Sequence, residues 1–541
     1  MTAEADARVA VAPPPGLARS TVTMSVLTAV SRATGLVRII MVGAVVGTTY
    51  LGNTYETTNT IPNIVFELMA AGTFQAVLIP ALVRYESQGE KEEAEHVASS
   101  VFGIALVALF GVAAVGMLMS PWISQLLFSG SAEAVRAEQV RLGTIFLLIF
   151  LPQVGMYAVG MVSTAVLNSQ NRFAAPAIAP AVNNVIVCTA YFLYWLSRDG
   201  GPPVLHLTPL QIALLAGGTT LGVIGFCAVP LLAVRRTSFR LRIKFDRHHP
   251  AVRQVLRMGV WAAGFLATTQ LLILVELLLS NKVKGGVVAL QIGWTFFLLP
   301  YALFAQPILT ALFPTMSRQS TARDDGGFAR SVESGTEMIC LFVVPCAIAF
   351  VAVAPAMCRA ILFGAINAAG AADVARVVVG FAPGVVGYSL LLFYARVFYA
   401  REDARTPTIV NLAAGVLGAV IMLGTSSIPS RQWQVPLLAA IHAFAYSLAA
   451  VALVLIIKRR LPQEHRPALL RRLRPQILAV APVLVVGTLI GRQIPLHSRL
   501  EALVLGVVVG LGVMGLYALL TAALGGPKPR ALLGALKRGG H

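Results

Sequence analysis

The sequence predicts an all-α integral membrane protein of about fourteen transmembrane helices, arranged as two six-helix lobes plus two C-terminal helices. Three observations carry this. Of 541 residues only 12% are charged while 57% are hydrophobic, against about 25% charged in soluble domains. Apolar stretches near the length needed to cross hydrocarbon as a helix, about 20 residues, recur between short polar breaks. Markedly basic loops follow the sixth and the twelfth stretch.

The stretches run 21–47, 57–83, 97–119, 142–166, 175–197, 209–234, 258–280, 287–313, 337–358, 377–400, 406–424, 435–457, 476–491 and 501–524. The first is long and holds two arginines, which marks a retained span and not a cleaved signal peptide. Residues 1–20 before it read as a cytoplasmic tail. Residues 21–234 then form an N-lobe, 235–257 a basic cytoplasmic connector, and 258–457 a C-lobe. A second basic cytoplasmic loop spans 458–475, two further spans occupy 476–524, and 525–541 is a cytoplasmic tail. Pro62, Pro152, Pro300 and Pro345 fall inside spans, where neighbouring helices can re-satisfy the interrupted backbone.

The net charge of +19, from 42 Lys and Arg against 23 Asp and Glu, would fit nucleic acid if it formed a continuous stripe with interleaved aromatics. It lies instead in short runs between apolar stretches, concentrated on one side, the pattern of loops retained in the cytoplasm. Both termini are therefore expected on the cytoplasmic face of a bacterial cytoplasmic membrane, and no nucleic-acid partner is expected. Trp122, Trp195, Trp261 and Trp433 fall near span ends, as an aromatic belt would.

An internal comparison supports the six-plus-six division. Leu78, Pro80, Leu82 and Arg84 end the second span, and Leu312, Pro314, Met316 and Arg318 end the eighth, 234 positions later. Pro176 and Ile178 open span five, and Pro407 and Ile409 open span eleven, offset by 231. Parallel repeats of this kind place a substrate site between the halves near the midplane.

No GxxxxGK[ST] motif occurs and no loop is long enough for a nucleotide-binding domain, so energy must come from a gradient or the membrane potential. The five cysteines, Cys188, Cys227, Cys340, Cys346 and Cys358, lack CxxC pairing and nearby histidines. Neither a disulfide framework nor a metal site is expected, and no residue set suggests covalent catalysis.

Arg32 and Arg38 lie about 17 and 26 Å into span one at 1.5 Å per residue. Arginine at the bilayer centre costs on the order of 3 kcal/mol, so it faces a cavity or a partner. Six residues apart sets the two roughly 120° apart around the helix, and so around a wide cavity suited to a diphosphate, which the planar guanidinium grips well. Glu67 in span two is expected to pair with a span-one arginine, with gating or ion coupling as the alternative. Arg253 and Arg257, four apart on the connector, are expected to contact lipid phosphate or help capture the head group. Gln270, Glu276, Asn411 and His442 are the second half's intramembrane polar residues. They could form a small cation or proton site, or separate interhelical hydrogen bonds.

The segment Ser31–Pro80, SRATGLVRIIMVGAVVGTTYLGNTYETTNTIPNIVFELMAAGTFQAVLIP, resembles the opening of the MurJ (MviN) family of lipid II flippases, in the multidrug/oligosaccharidyl-lipid/polysaccharide exporter superfamily. LNSQNRFAAPAIAPAVNN (167–184), TFFLLPYALFAQPILTALFPTMSR (295–318) and FYAREDARTP (398–407) look like further landmarks of that family. The resemblance implies a V-shaped pair of lobes, a cationic central cavity, and a groove from the last two spans for a polyprenyl tail. It also implies a carrier, not an enzyme, that moves lipid-linked peptidoglycan precursor outward by alternating access, among membrane lipids and cell-wall synthesis proteins. Arg32 and Arg38 match functional span-one arginines of the family. Asn53 stands where many members have Asp, Phe66 and Glu67 follow the IPN motif where they have arginine, and Thr295 stands where they have an arginine in span eight.

The expected substrate is thus lipid II, driven by the potential or a monovalent cation. Alternatives are another polyprenyl-diphosphate-linked glycan and a cation-coupled drug antiporter, which would favour acidic and aromatic cavity residues over midplane arginines. From other classes come a membrane glycosyltransferase, which needs large extracytoplasmic loops, and a cell-wall scaffold, which needs no buried arginine. With inward access, the outer ends of spans one and seven, near Thr48 and Lys282, are expected to meet, hinged by the connector.

Overall fold

The computed structural model describes residues 17–68, 72–425, 431–495 and 498–526; the side chains of 17–26, 28, 29, 72–77, 254–266, 268, 431 and 432 lie outside this description. The first bundle comprises α1 (Leu17–Val46), α2 (Tyr50–Phe66), α3 (Gly72–Ser87), α4 (Lys91–Leu118), α5 (Ser120–Leu127), α6 (Glu133–Phe150), α7 (Pro152–Ser169), α8 (Ala174–Leu196), α9 (Pro209–Ile212) and α10 (Gly218–Arg235). The second comprises α11 (Pro250–Ser280), α12 (Gly286–Pro300), α13 (Gln306–Thr321), α14 (Asp325–Ile361), α15 (Ala368–Tyr399), α16 (Arg405–Gly424) and α17 (Arg431–Arg460). Two more, α18 (Leu469–Gly491) and α19 (Arg499–Ala523), follow. No strand occurs among the described residues.

Each expected span coincides with helix where it is described, and among the described residues eleven helical segments are long and apolar enough to cross a membrane. The helices at spans one, two and seven are not among the eleven. Span two starts at Tyr50, seven residues earlier than the apolar pattern suggests, because the turn before it is built for a helix start. Gly47 takes a left-handed conformation (φ +72°), and the Thr49 side chain accepts the Gly52 N–H at 3.1 Å, a standard N-cap.

Proline acts differently from span to span. Helix runs on from α6 to α7 past Pro152, giving a 37-residue segment Glu133–Ser169. After Pro300 the helix widens into a π turn, Tyr301–Ala305, before α13. A π turn also follows α2 at Glu67 and Leu68, 234 positions earlier, the offset of the sequence repeat. Arg84 and Arg318 both fall in the last turns of their helices, and Pro176 and Pro407 are each the third residue of theirs.

In the first bundle α1 packs on α8, α10 lies against α7 and α8, and α2 packs on α6. Its cores are an aliphatic cluster with Val97, Val101, Val162 and Val166 and a second around Tyr55, Phe146 and Tyr191. In the second bundle α15 sits against α12, α14 and α17 around Phe297, Phe381 and Phe393. Helices α18 and α19 pack on α14 through Ala352, Val483, Val513 and Tyr517. Their other faces expose Leu478, Val485, Leu489, Val504, Val508 and Leu511. A patch of that size would aggregate in water and is at ease in lipid.

The basic connector is not free. Glu95 accepts the Arg240 N–H at 2.8 Å, Ser99 accepts those of Arg242 and Lys244, His96 meets Asp246 at 3.0 Å, and His249 meets Glu93 at 2.6 Å. Through residue 249 it therefore belongs to the first bundle. The second basic loop is tied likewise: Arg472 binds Glu333 and Glu337 on α14, and Arg460 binds Asp403 at 2.5 Å.

Candidate functional site

One face of α2 joins the bundles. Asn53, Thr57 and Thr60 recur at i, i+4 and i+7, and each meets the second bundle. Asn53 donates to the Val283 carbonyl at 2.8 Å and accepts the Val287 N–H at 3.1 Å. Thr57 and Asn281 bond side chain to side chain, and Gln291 donates to Thr60 at 3.0 Å. Around them the Ala365 N–H reaches the Ala44 carbonyl at 2.7 Å. A Cβ on Gly285, itself at φ +74°, would stand 2.5 Å from Thr48, and one on Gly130 would stand 2.7 Å from Lys282. Thr48 and Lys282 thus both lie at a closed contact between the bundles, at the end of the molecule away from the two basic loops.

Beyond this closure lie two cavities of about 240 Å³ each, which share Gln291 as a common wall. One is lined by Gly35, Arg38, Glu56, Asn184, Tyr191 and Thr295, among others. The second is lined by Thr60, Asn63, Glu67, Gln270, Glu276 and Trp294, among others.

The first cavity owes its chemistry to the Gly47 turn. Helices α1 and α2 run antiparallel from it, so Arg38, nine residues before the turn, comes level with Glu56, nine after. Arg38 lies within electrostatic reach of Glu56, Tyr55 and Tyr191 and lines this cavity. The Tyr55 hydroxyl bonds those of Tyr191 (2.7 Å) and Thr219 (2.6 Å), which holds this wall rigid. Arg32 is exposed, and with Arg396 of α15 it lies within electrostatic reach of Tyr301. Cationic groups from both bundles therefore converge where the repeat's second π turn sits.

The expected pairing of Glu67 with a span-one arginine does not occur. Glu67 lies twenty residues past the Gly47 turn, beyond the level of Arg32, in the π turn that follows α2. It lines the second cavity with Gln270 and Glu276. There His442 Nδ1 meets Glu276 Oε1 at 2.6 Å, both side chains being buried. Asn411, buried on α16, does not line this cavity, so the second half's polar residues come together as three, not four.

Arg253 is exposed on the first turn of α11 and lines neither cavity; the Arg257 side chain lies outside the described residues. All five cysteines are free, and no group of three His, Cys, Asp or Glu among the described residues could hold a metal ion. Apart from register across the Gly47 turn, which could have found Glu56, nothing in the sequence singles out Gln291, Asn184, Tyr191 or Glu56 as walls of the first cavity, or Arg396 as a neighbour of Arg32 near Tyr301.

The model of the lipid II flippase MurJ family matches residues 42–507. The lipid II flippase MurJ of Burkholderia cenocepacia is 26% identical over 415 residues, covering 74% of this chain and 76% of that protein. Among solved structures, a lipid II flippase MurJ in an inward closed conformation superposes with a TM-score of 0.72 at 19% identity, covering 91% of this chain and 98% of the other. A multidrug resistance MATE family transporter of the MOP superfamily in an inward-facing conformation reaches 0.63 at 13% identity, covering 82% and 98%. With its family matched over most of its length, this multi-pass membrane chain belongs to the MurJ lipid II flippases.

Proposed function

We propose that this chain moves lipid II from the inner to the outer leaflet of the cytoplasmic membrane by alternating access between its two bundles. The observation that carries this reading is Arg38 in a cavity walled by both bundles, with Arg32 and Arg396 both within reach of Tyr301, between bundles that are bonded shut at the opposite end. A cavity of about 240 Å³ accepts a diphosphate but not the glycan attached to it, so the bundles must part to admit the head group. Asn184 and Tyr191 supply further polar contacts to the anion. With the basic loops cytoplasmic, both termini are cytoplasmic, and the closed end faces outward.

The exposed apolar faces of α18 and α19 offer the polyprenyl tail a surface continuous with lipid. Outward movement of a diphosphate is favoured by roughly 2.3 kcal/mol per charge per 100 mV, which makes return of the empty, arginine-bearing carrier the uphill step. The second cavity, with Glu67 on one bundle and Glu276 on the other, is the place for a coupling charge to ease that return. Depleting the protein in its host should make lipid II accumulate on the inner leaflet. Wild type should restore export and Arg38→Ala should not; unchanged leaflet distribution after depletion would contradict this function.

A further inference from the structure

The Glu276–His442 pair stands apart from the other buried polar groups because both partners are ionisable and their surroundings fit one charge change. His442 Nδ1 is 2.6 Å from Glu276 Oε1, while Nε2 is buried with no hydrogen-bond partner. Around the imidazole stand three aromatic rings, Tyr446 at 4.6 Å, Trp294 at 5.1 Å and Phe381 at 6.0 Å between centroids. Aromatic faces attract a cation, and a carboxylate at hydrogen-bond distance completes the stabilisation of an imidazolium. Glu276 opens onto the second cavity, which gives the pair a path to water, and Glu67 lines the same cavity from the other bundle.

We propose that the Glu276–His442 pair is a proton-binding site that couples protonation to the approach of the two bundles. The step balances simply: a carboxylate and a neutral imidazole, net charge −1, take up one proton and become a carboxylate and an imidazolium, net charge 0, with no other bond made or broken. The Nδ1–Oε1 contact survives in both forms. The donor set favours a proton over a metal cation, since a nitrogen engages the near carboxylate oxygen and three rings fill the space around it.

The ionisable groups facing the pair are few. Helix α2 brings Glu67, α15 brings Tyr388 next to Tyr446, and α17 brings Tyr446 itself. Helix α12 has no ionisable residue, and the single one on α16, Arg405, is exposed at its first turn. With the pair deprotonated, two bare carboxylates on opposite bundles face one small cavity and repel; protonation removes that repulsion.

The consequence for transport rests on the function proposed above, but the test does not. Trp294, whose ring centroid lies 5.1 Å from that of His442, reports its charge, because imidazolium quenches indole fluorescence. In the purified full chain, the emission lost on Trp294→Phe substitution should fall as a one-proton transition on acidification across the pH range in which the chain stays folded. Replacing sodium chloride by choline chloride should not move it. His442→Gln should abolish the titration, and so should His442→Phe, which keeps the ring packing if the first variant does not fold. A Trp294 signal flat across this range, or a titration shifted by sodium, would overturn the proposal. Titration in a chain that fails to move lipid II would leave this inference standing and sink the proposed function instead.

Discussion

Thr57 of α2 and Asn281 at the end of α11 hydrogen-bond each other through their side chains, at 3.2 Å from the hydroxyl and 3.0 Å from the amide. Both are buried, and they belong to different bundles. With Asn53 and Thr60 on either side, they form a polar seam that must part if the bundles are to separate at this end. Each of its hydrogen bonds is worth about 1 kcal/mol net, enough to hold a closure without locking it.

The first prediction follows from the distance across that closure. Gly130→Cys with Lys282→Cys places two thiols where a Cβ on Gly130 would already touch the Lys282 stem, within disulfide reach. Oxidation should link the bundles and stop lipid II export, and reductant should restore it. Cross-linking is read by altered mobility after cleavage of the intervening chain; full export by fully cross-linked protein would contradict the closure being a gate.

Asn53→Ala removes one donor and one acceptor from the seam, at about 1 kcal/mol each. The Gly130–Lys282 cysteine pair should then cross-link several-fold more slowly, as the closed state loses population. Asn53→Asp keeps the acceptor for the Val287 N–H and should fall between. Equal cross-linking rates in all three would show that Asn53 carries none of the closure.

Arg38→Ala leaves half-buried Glu56 without its cationic neighbour, at a cost on the order of 1 kcal/mol because the two make no close ion pair. The thermal midpoint in detergent should drop by a degree or two and export should be lost. Arg38→Ala with Glu56→Gln should recover the midpoint but not the export. Recovery of both would make Arg38 a structural residue only.

The docking of the α15–α16 loop carries a pH dependence. Burial alone would raise the Asp403 carboxyl, but hydrogen bonds from Thr406 and Arg460 outweigh it and hold it at about 2. A lowered folded pKa means the stabilisation is fully present above the ordinary carboxylate range and is lost as pH falls through about 2. Thermal midpoints of wild type and Asp403→Asn should therefore differ at neutral pH and converge as acid is added from roughly pH 4 downward. A difference that is constant with pH would rule out this origin.

The sequence showed the fold because lipid enforces it: apolar length and basic loops located each helix, and the offset of 234 survives as matching π turns at Glu67 and Tyr301. It pointed to Arg38, which lines the first cavity, because charge in lipid stands out. It misplaced Glu67, since periodicity along a helix says nothing about the level at which a neighbouring helix carries its charges; counting from the Gly47 turn does. Span two's true start was hidden because Tyr50–Thr57 is polar where it meets the other bundle. The connector, read as a hinge, is pinned to α4 by Glu93, Glu95 and Ser99, contacts between segments about 150 positions apart that no local pattern reveals.

The most direct measurement reconstitutes the purified chain in liposomes carrying fluorescent lipid II and follows how much becomes accessible to a membrane-impermeant quencher. The account predicts transfer that exceeds protein-free liposomes, accelerates when the potential is negative on the face bearing the basic loops, and is lost in Arg38→Ala. Transfer that is no faster than in protein-free liposomes, or that persists undiminished in Arg38→Ala, would contradict it.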